Sequence, residues 1–411
     1  MSVKQNILVQ SPSPIAVRLQ KDLVRNVKRG HAWLYSDAVE LVNVPSGSVA
    51  LLEDRKGDAT IAAGIYDPDH PIPFRVCTTS PPYRLDDAWL SKQLFAALKL
   101  RRTALGSDTN GFRLVAGEGD GIPGAIIDVY DRVAVMKFDG GAPEAFYRPE
   151  GIADWLVEHA GIETVVLRTR ERGSVGQVLR GELGQHHTGR GQTVNTPVYF
   201  QENGMTFTAD VLSGQKTGFF LDQRDNRALI RTLSNQRTVL NLFSFNGGFS
   251  VAAGRGGAKH VVSVDIARPA IEASEDIWQT NQLDPNLHYG EVADCFDFLE
   301  AAVNSKQRWD MVICDPPSFA PSEKARQRAI PAYGRLAQLA ARVTKSSGLL
   351  ALASCSSHID PLTFAAINAE AFGKARRKAV LLAERGLPID HPTPFVMPEL
   401  RYLKFQLFGL E

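Results

Sequence analysis

From about residue 238 onward, short apolar runs alternate with longer amphipathic segments. The apolar runs are TVLNLFS, HVVSVDI, WDMVICD, GLLALASC, KAVLLAE and RYLKFQLF. Segments with apolar residues at helical spacing lie between most of these runs, over 266–281, 293–303, 330–344 and 361–374. Strands that are apolar on both faces and separated by helices predict a parallel sheet covered on both sides. The pattern therefore predicts a doubly wound α/β domain, in which ligands bind at the carboxyl ends of the strands.

The first half of the chain follows a different pattern. Between Val17 and Val76, the short apolar runs SVALLED, ATIAAGIY and IPFRVC are separated by turn residues, which is typical of a small β-rich unit. Residues 78–87 (TTSPPYRLDD) read as a linker, and residues 88–104 have the spacing of an amphipathic helix. GAIIDVY, VAVMKF and TVVLRTR then predict strands, with a further helix near 148–159. We therefore expect an α+β middle unit between two other units.

Composition narrows the class of protein without identifying it. The 411 residues are 44% hydrophobic and 22% charged, with a net charge of +1, so any basic surface for a nucleic acid must be local. Four cysteines without a Cys-x-x-Cys pair argue against a zinc ribbon or a redox dithiol and suit a reducing compartment. The sequence has no run of 18 apolar residues and no signal-like N-terminus. We expect a cytoplasmic protein with no membrane partner and no metal.

Three predicted strand ends in the doubly wound domain carry residues suited to a nucleoside ligand. Gly247 and Gly248 in NLFSFNGGFS permit a tight turn and close backbone approach, although the Gly-x-Gly-x-x-Gly dinucleotide pattern is absent. Asp265 ends the next strand, where it either accepts the hydroxyls of a ribose or caps the following helix. Asp294 either faces an adenine edge or is again a helix cap.

Two further strand ends carry groups suited to catalysis. The stretch VICDPPSFAPSE stops a strand at Asp315, because neither following proline can donate a strand hydrogen bond. The end of the strand at Asp315 has two possible explanations. It holds a carboxylate rigidly at the site, or it is a purely structural turn. Cys355 lies in SCSSH, at the mouth of the next strand, or it is simply packed in the core as free cysteines often are. His358 is close enough in sequence to assist a thiol, although loop histidines are more often bystanders.

Five stretches in a fixed order carry a resemblance to a known family. They are RNVKRGHAWLYSDAV (25–39), FRLVAGEGDGIPGAIIDVY (112–130), GQKTGFFLDQRDNR (214–227), DPPSFA, and DHPTPFVMPELRYLK (390–404). Over most of its length the chain resembles the bacterial 23S ribosomal RNA 5-methylcytosine methyltransferases with an N-terminal PUA domain. The resemblance implies a PUA-like RNA-binding domain over 14–80, an α+β middle domain over 86–200, and a Rossmann-like class I methyltransferase domain with a seven-stranded sheet over 201–411.

The resemblance also implies S-adenosylmethionine as cofactor. It places the methionine part against the glycine turn, the ribose on Asp265 and the adenine near Asp294. The segment FLDQRDNR would close over the cofactor or the RNA. The alternative for Arg224 and Arg227 is a solvated helix start beside Asp222 and Asp225, and the resemblance favours the functional role. The implied cofactor-binding residues are Gln223, Arg224, Phe243, Ser244, Gly247, Asp265, Asp294 and Asp315.

By the same resemblance, Cys355 is the nucleophile and Asp315 stands at the reactive end of the cofactor. Carbon 5 of cytosine is a poor nucleophile, and a thiolate bonded to carbon 6 would activate it. Related enzymes carry a second cysteine where this chain has Ser318, so the base that removes the carbon-5 proton stays unassigned. Phe319 or Tyr333 could stack on a flipped base, or either could be core.

RNA contacts are expected in the N-terminal domain, where basic and aromatic residues cluster. They are either an RNA-binding surface, which the resemblance favours, or a solvated helix face. The cluster contains Lys21, Arg25, Lys28, Arg29 and Trp33. RTRERG (168–173) is a second candidate contact.

Other functions remain open from the sequence. The product could be 5-methyluridine or a methylated exocyclic amine, or the protein could be a non-catalytic RNA-binding factor in ribosome assembly. The modified nucleotide, the choice between free RNA and an assembled particle, and homodimerisation are likewise open.

Overall fold

The computed structural model describes residues 8–10, 13–169, 174–183, 185–187, 193–195 and 197–411. The N-terminal arm and most of the RTRERG segment lie outside these residues. The chain divides into two compact units. The first is 1–202 with 208–221 and 389–398, and the second is 203–207, 222–388 and 399–411. No helix in the described part of the chain is long and apolar enough to span a bilayer.

The first unit begins with a five-stranded sheet in the order β1-β3-β4-β5-β2. Its strands are β1 (Ile15–Arg18), β2 (Trp33–Leu34), β3 (Ser48–Glu53), β4 (Thr60–Tyr66) and β5 (Phe74–Thr78). A short helix, α1 (Val24–Lys28), connects the first two strands. The buried core of this sheet contains Val17, Leu52 and Tyr66, each fully buried. The β-rich pattern of the sequence is confirmed here.

A second five-stranded sheet follows, in the order β10-β9-β8-β7-β6. Helix α2 (Asp87–Ala104) precedes it, and the Asp86 carboxylate caps this helix by accepting the Trp89 amide. The remaining elements are β6 (Gly111–Ala116), β7 (Ala125–Tyr130), β8 (Val133–Phe138), α3 (Gly141–Phe146), α4 (Pro149–Trp155), β9 (Thr164–Arg168) and β10 (Gln177–Arg180). Two short two-stranded sheets come next, formed by β11 (Gln185–His187) with β12 (Thr193–Asn195) and by β13 (Val198–Glu202) with β14 (Met205–Ala209).

The second unit contains a seven-stranded sheet with helices between its strands, as the alternating pattern predicts. Its elements are α5 (Arg224–Leu233), β15 (Thr238–Leu242), α6 (Gly248–Arg255), β16 (His260–Asp265), α7 (Arg268–Thr280), β17 (His288–Val292), α8 (Cys295–Asn304), β18 (Trp309–Cys314), α9 (Glu323–Val343), β19 (Thr344–Ser354), α10 (Pro361–Ala375), β20 (Ala379–Arg385) and β21 (Lys404–Leu410). The prediction of a doubly wound α/β domain is confirmed.

The strand order is β17-β16-β15-β18-β19-β21-β20, and the first five strands are parallel. The last strand in sequence, β21, inserts antiparallel between β19 and β20. The chain order reverses between β15 and β18, so the ends of these two strands form the crevice in which doubly wound domains bind ligands. Leu242, Cys314 and Leu352 lie level across β15, β18 and β19.

One helix differs from its predicted bounds. Helix α9 begins at Glu323 rather than near residue 330, so it contains Pro331. Proline removes one helical hydrogen bond and crowds the preceding turn, so a helix that continues through Pro331 carries a cost. Burial of Tyr333, Leu336 and Ala340 on one face of α9 favours the longer helix despite that cost.

Candidate functional site at the carboxyl edge of the sheet

A strained turn follows β15, where the sequence predicts the glycine-rich cofactor turn. Phe243 and Phe245 have φ values of 56° and 48°, which few residues other than glycine adopt, and Gly247 has a φ of 79°. A Cβ on Gly247 would lie 2.7 Å from the Ser274 Cβ, so glycine is required by both conformation and space. Strained backbone of this kind is concentrated at functional sites.

The turn is held by the end of the neighbouring strand. The Ser244 amide donates to the Val264 carbonyl at 3.0 Å, and the Phe245 amide donates to Asp265 Oδ2 at 2.9 Å. Asp265 Oδ1 accepts the Ala267 amide at 3.0 Å. The Asp265 carboxylate therefore fixes the turn while it stays partly exposed at the strand end. Binding of ribose hydroxyls by Asp265 stays a prediction.

Cys295 lies beneath the same turn and is a structural thiol. Its Sγ accepts the Phe243 amide at 3.2 Å and donates to the Val264 carbonyl at 3.7 Å. Burial raises the pKa of Cys295 to about 12, with the Phe243 amide opposing that shift. A neutral thiol at this place links the β15 turn to β16.

The Asp294 carboxylate caps helix α8. Its Oδ1 accepts the amides of Phe296 at 2.8 Å and Asp297 at 3.2 Å. Asp294 itself is exposed. The capping alternative is therefore present in the structure, and a contact with adenine stays a prediction.

The residues at the turn fit a sulfonium cofactor. Ser244 Oγ is buried and, among the described residues, has no hydrogen-bond partner, which is costly unless a ligand supplies one. Its neighbours at this edge include the Asp265 carboxylate and Ile266, whose side chain is 71% exposed next to that acid. An amino-acid moiety could satisfy the hydroxyl, and a planar ring could cover the isoleucine. Ile266 is not marked by any pattern in the sequence, and only its exposure in the structure identifies it.

Three phenylalanine rings cluster at the carboxyl edge of the sheet. The centroids of Phe243, Phe296 and Phe319 are 6.3–6.4 Å from one another. Phe319 is partly buried, whereas Tyr333 is 2% exposed and its hydroxyl bonds to Ser354 and Ser356. The idea that Tyr333 stacks on a base is therefore wrong, because its ring is part of the core. Stacking of Phe319 on a flipped base stays a prediction.

Gln223 and Arg224 lie at the start of α5, which packs against α6. Both side chains are 3% exposed. Gln223 Oε1 accepts a hydrogen bond from the Asn226 side-chain Nδ2 at 2.7 Å, and the Arg224 guanidinium pairs with Asp225 at 3.3 Å. The expectation of a solvated helix start is wrong for Arg224, because a buried guanidinium is not a solvent-facing group. Contact with the cofactor stays a prediction.

The loops that carry Asp315 and Cys355 are joined by Ser356. This residue is fully buried, and its Oγ lies 2.8 Å from Ser318 Oγ and 2.8 Å from the Tyr333 hydroxyl. Ser318 therefore links the loop after β18 to the loop after β19. In the sequence Ser318 stands out only as a replaced cysteine, and Ser356 does not stand out at all, because their contact joins two distant loops.

Cys355 differs from the other three cysteines in its exposure. It is partly buried, whereas Cys77, Cys295 and Cys314 are buried. Burial raises the pKa of the Cys77 and Cys314 thiols. His358 is hydrogen-bonded to Glu323 Oε2 at 3.2 Å and is thereby held by α9. Cys355 is thus the cysteine most accessible to a reagent, and it lies one strand away from Asp315.

The basic cluster of the first unit is exposed. Lys21, Arg25, Lys28 and Arg29 are all accessible, and Lys21 forms an ion pair with Asp37. Trp33 is partly buried, and its indole N–H donates to Glu118 Oε1 at 2.7 Å. Arg25, Lys28 and Arg29 are exposed at positions where a phosphate backbone could contact them, whereas Lys21 is paired with Asp37 and Trp33 is partly committed to the fold. In the described residues no group of acids, histidines and cysteines forms a metal site.

Comparison with known proteins agrees with this geometry. Residues 189–356 match the model of a family described as S-adenosylmethionine-dependent methyltransferases, and residues 17–79 match a PUA-like domain. The fold and the site thus define an S-adenosylmethionine-dependent methyltransferase with a PUA-like domain.

A ribosomal RNA large subunit methyltransferase from Deinococcus radiodurans is 38% identical, with 95% of this chain and 96% of the relative covered. A ribosomal RNA large subunit methyltransferase I from Photobacterium profundum is 33% identical, with 95% and 98% covered. The chain belongs to the family of these ribosomal RNA large subunit methyltransferases.

Solved structures show the same fold. An S-adenosylmethionine-dependent methyltransferase from Streptococcus mutans superposes with a TM-score of 0.80 at 23% identity, covering 96% of this chain and 100% of that one. A methyltransferase crystallised with S-adenosylhomocysteine superposes equally well, with the same coverage. The predicted fold class is confirmed, and so is S-adenosylmethionine as the cofactor.

Proposed function

We propose that the protein methylates carbon 5 of a cytosine in RNA of the large ribosomal subunit, through a transient bond from Cys355 to the base. One observation carries the proposal. Cys355 is the partly exposed cysteine, and it lies at the carboxyl edge of the strand next to Asp315. The names of the relatives from Deinococcus radiodurans and Photobacterium profundum support ribosomal RNA as the substrate.

The reaction assigns a separate role to each of two residues. The Cys355 thiolate adds to carbon 6, and the carbon 5–carbon 6 π pair becomes available at carbon 5. The bound cofactor supplies an electrophilic methyl group, which carbon 5 takes while the sulfonium sulfur keeps the bonding pair. A base then removes the carbon-5 proton, and the released pair expels the thiolate from carbon 6. A protonated Asp315 carboxyl can donate to N3 and accept from the amino group of cytosine.

The rigid backbone that follows Asp315 supports the proposed role of its carboxyl group. Pro316 and Pro317 follow the acid directly, and Ser318 is hydrogen-bonded to Ser356 beside the nucleophile. Preorganised groups stabilise a transition state without reorganising during the reaction. Extraction of the base from its stack costs a few kcal/mol, which RNA contacts elsewhere must offset. The exposed cations of the PUA-like domain, Arg25, Lys28 and Arg29 among them, are the proposed source.

The test uses purified protein, transcribed 23S RNA and labelled S-adenosylmethionine, with nucleosides identified by mass spectrometry. We expect 5-methylcytidine with the native protein and with Cys77→Ala, which removes a buried thiol of the other unit. Cys355→Ala should reduce methylation to background. Methyl transfer that persists in Cys355→Ala, or a product methylated on an exocyclic amine, would contradict the thiol mechanism. A 5-methyluridine product would preserve the thiol but change the base.

A further inference from the structure

A buried lysine lies beside the candidate nucleophile. Lys404 begins β21 and is 4% exposed. Its Nζ donates to the Ser356 carbonyl at 2.5 Å and to the Tyr402 carbonyl at 2.8 Å. Burial of an ammonium group is costly, and two neutral carbonyl oxygens offset only part of that cost. A lysine kept at such a position is a candidate for function.

The backbone places the ammonium group next to Cys355. Lys404 is paired with Ser354 in the antiparallel register of β21 and β19. Its side chain then reaches the carbonyl of Ser356. The lysine therefore contacts the chain on both sides of Cys355, through the register before it and through a hydrogen bond after it. The ammonium group is thus held at the carbonyl of the residue directly after Cys355, where Coulombic attraction favours a thiolate.

The other groups around the thiol differ in charge and accessibility. The neutral Tyr333 hydroxyl of α9 bonds to Ser354 and Ser356. Asp315 at the end of β18 and Asp360 at the start of α10 are acids, and Asp360 is paired with Arg326. His358 is bonded to Glu323. Lys404 is the buried cation among the groups that the structure describes at this place.

We propose that Lys404 is the positioning residue that keeps Cys355 as a thiolate, the form that the proposed methylation requires. The inference rests on the proposed function for its purpose, although not for its measurement. A cation close to a cysteine favours the thiolate, as in other reactive cysteines. Burial lowers the pKa of Lys404 to about 8, whereas negative charge on Cys355 and on Asp360 acts to raise it. A charged lysine and a thiolate at this place would stabilise each other's charge.

The sequence carried a signal for this residue. Lys404 opens the apolar run KFQLF, where a charged side chain at a buried strand position is unusual. Sequence reasoning could not name its partner, since residue 355 is far away along the chain.

The test follows alkylation of Cys355 by iodoacetamide as a function of pH, read at the Cys355 peptide by mass spectrometry. Full-length native protein, Lys404→Met, Lys404→Gln and Lys378→Met are compared without RNA or cofactor. Lys378 is an exposed lysine of the same unit, so its loss controls for a changed net charge. Thermal melting confirms that each variant is folded.

We expect both neutral variants of Lys404 to move the alkylation midpoint up by at least one pH unit, with about a tenfold slower rate below the midpoint. Lys378→Met should keep the native midpoint. A native profile in folded Lys404→Met or Lys404→Gln would overturn the role of the lysine. If the shift is found but the native protein yields no 5-methylcytidine, the proposed function fails while the thiolate pairing stands.

Discussion

Gly247→Ala tests the turn on which cofactor binding depends. The added Cβ would lie 2.7 Å from Ser274 Cβ and 3.2 Å from Ser274 Cα, so the backbone of α7 or of the turn must shift. Gly247 also has a φ of 79°, a conformation that costs a non-glycine residue about 1–2 kcal/mol. Overpacking a close-packed site costs a further 1–3 kcal/mol, roughly. The two effects together predict a loss of about 2–5 kcal/mol in the free energy of unfolding.

The assay combines thermal melting with calorimetric titration of S-adenosylmethionine. For a domain of 150–250 residues, 1 kcal/mol changes Tm by about 2–4 °C, so a decrease of at least about 4 °C is expected. Binding of the cofactor should weaken in parallel, because the same turn presents Ser244.

A matched control is available in the same unit. Gly373 lies in α10, and a Cβ there would meet nothing within 4 Å. Gly373→Ala should stabilise the helix by about 0.5–1 kcal/mol and leave cofactor affinity unchanged. If Gly247→Ala melted and bound the cofactor like Gly373→Ala, the turn would not be the constrained element that the structure describes.

Three further predictions address separate groups. Ser244→Ala should weaken S-adenosylmethionine binding by about 1 kcal/mol, roughly fivefold in Kd, without lowering Tm, because its buried hydroxyl has no partner to lose in the described chain; unchanged affinity in calorimetry would exclude this contact. Burial, reinforced by His260, lowers the pKa of His288 from 6.5 to about 4, so the unfolded chain binds more protons between these values and stability falls as pH decreases through that range. His288→Gln should flatten this part of the stability profile in denaturant titrations, and a profile as steep as the native one would contradict it. Lys28→Ala should weaken RNA binding, and it should reduce the slope of log affinity against log salt concentration by about one. Lys99→Ala, at an exposed lysine on α2, is the control, and an equal effect of that substitution would contradict RNA binding by the basic cluster.

The parallel strands β15, β16, β18 and β19 could be predicted because each contains a short apolar run followed by glycine, proline, an acid or another turn residue. Strand β18 is such a run, and Asp315 with two prolines marks its end. The position of β21 could not be predicted in the same way. Its neighbours β19 and β20 precede it in the chain, and local pattern does not reveal that a later strand inserts between two earlier ones.

Residues of the candidate site could be predicted from the sequence where they lie at the end of a predicted strand. Asp265, Asp315 and Cys355 could be selected because they follow apolar runs directly. The residues that hold them could not, because their contacts join distant parts of the chain. Ser356 is bonded to Tyr333 and Ser318, and Lys404 reaches Ser356 from the last strand. These contacts exist only after the sheet and α9 have packed.

The two edges of the seven-stranded sheet differ in how fully their polar groups are satisfied. At the amino edge, Asp310 accepts hydrogen bonds from Thr238 and pairs with Lys345, which together outweigh burial and lower its pKa to about 2. At the carboxyl edge, the buried Ser244 hydroxyl has no partner among the described residues, and the Cys355 thiol is partly exposed. Unsatisfied groups reduce stability and persist where a ligand or a reaction uses them. The hydrogen bonds and the ion pair at the amino edge offset the stability that the carboxyl edge loses. Substitutions meant to raise stability should therefore be made near Asp310 and not near Ser244.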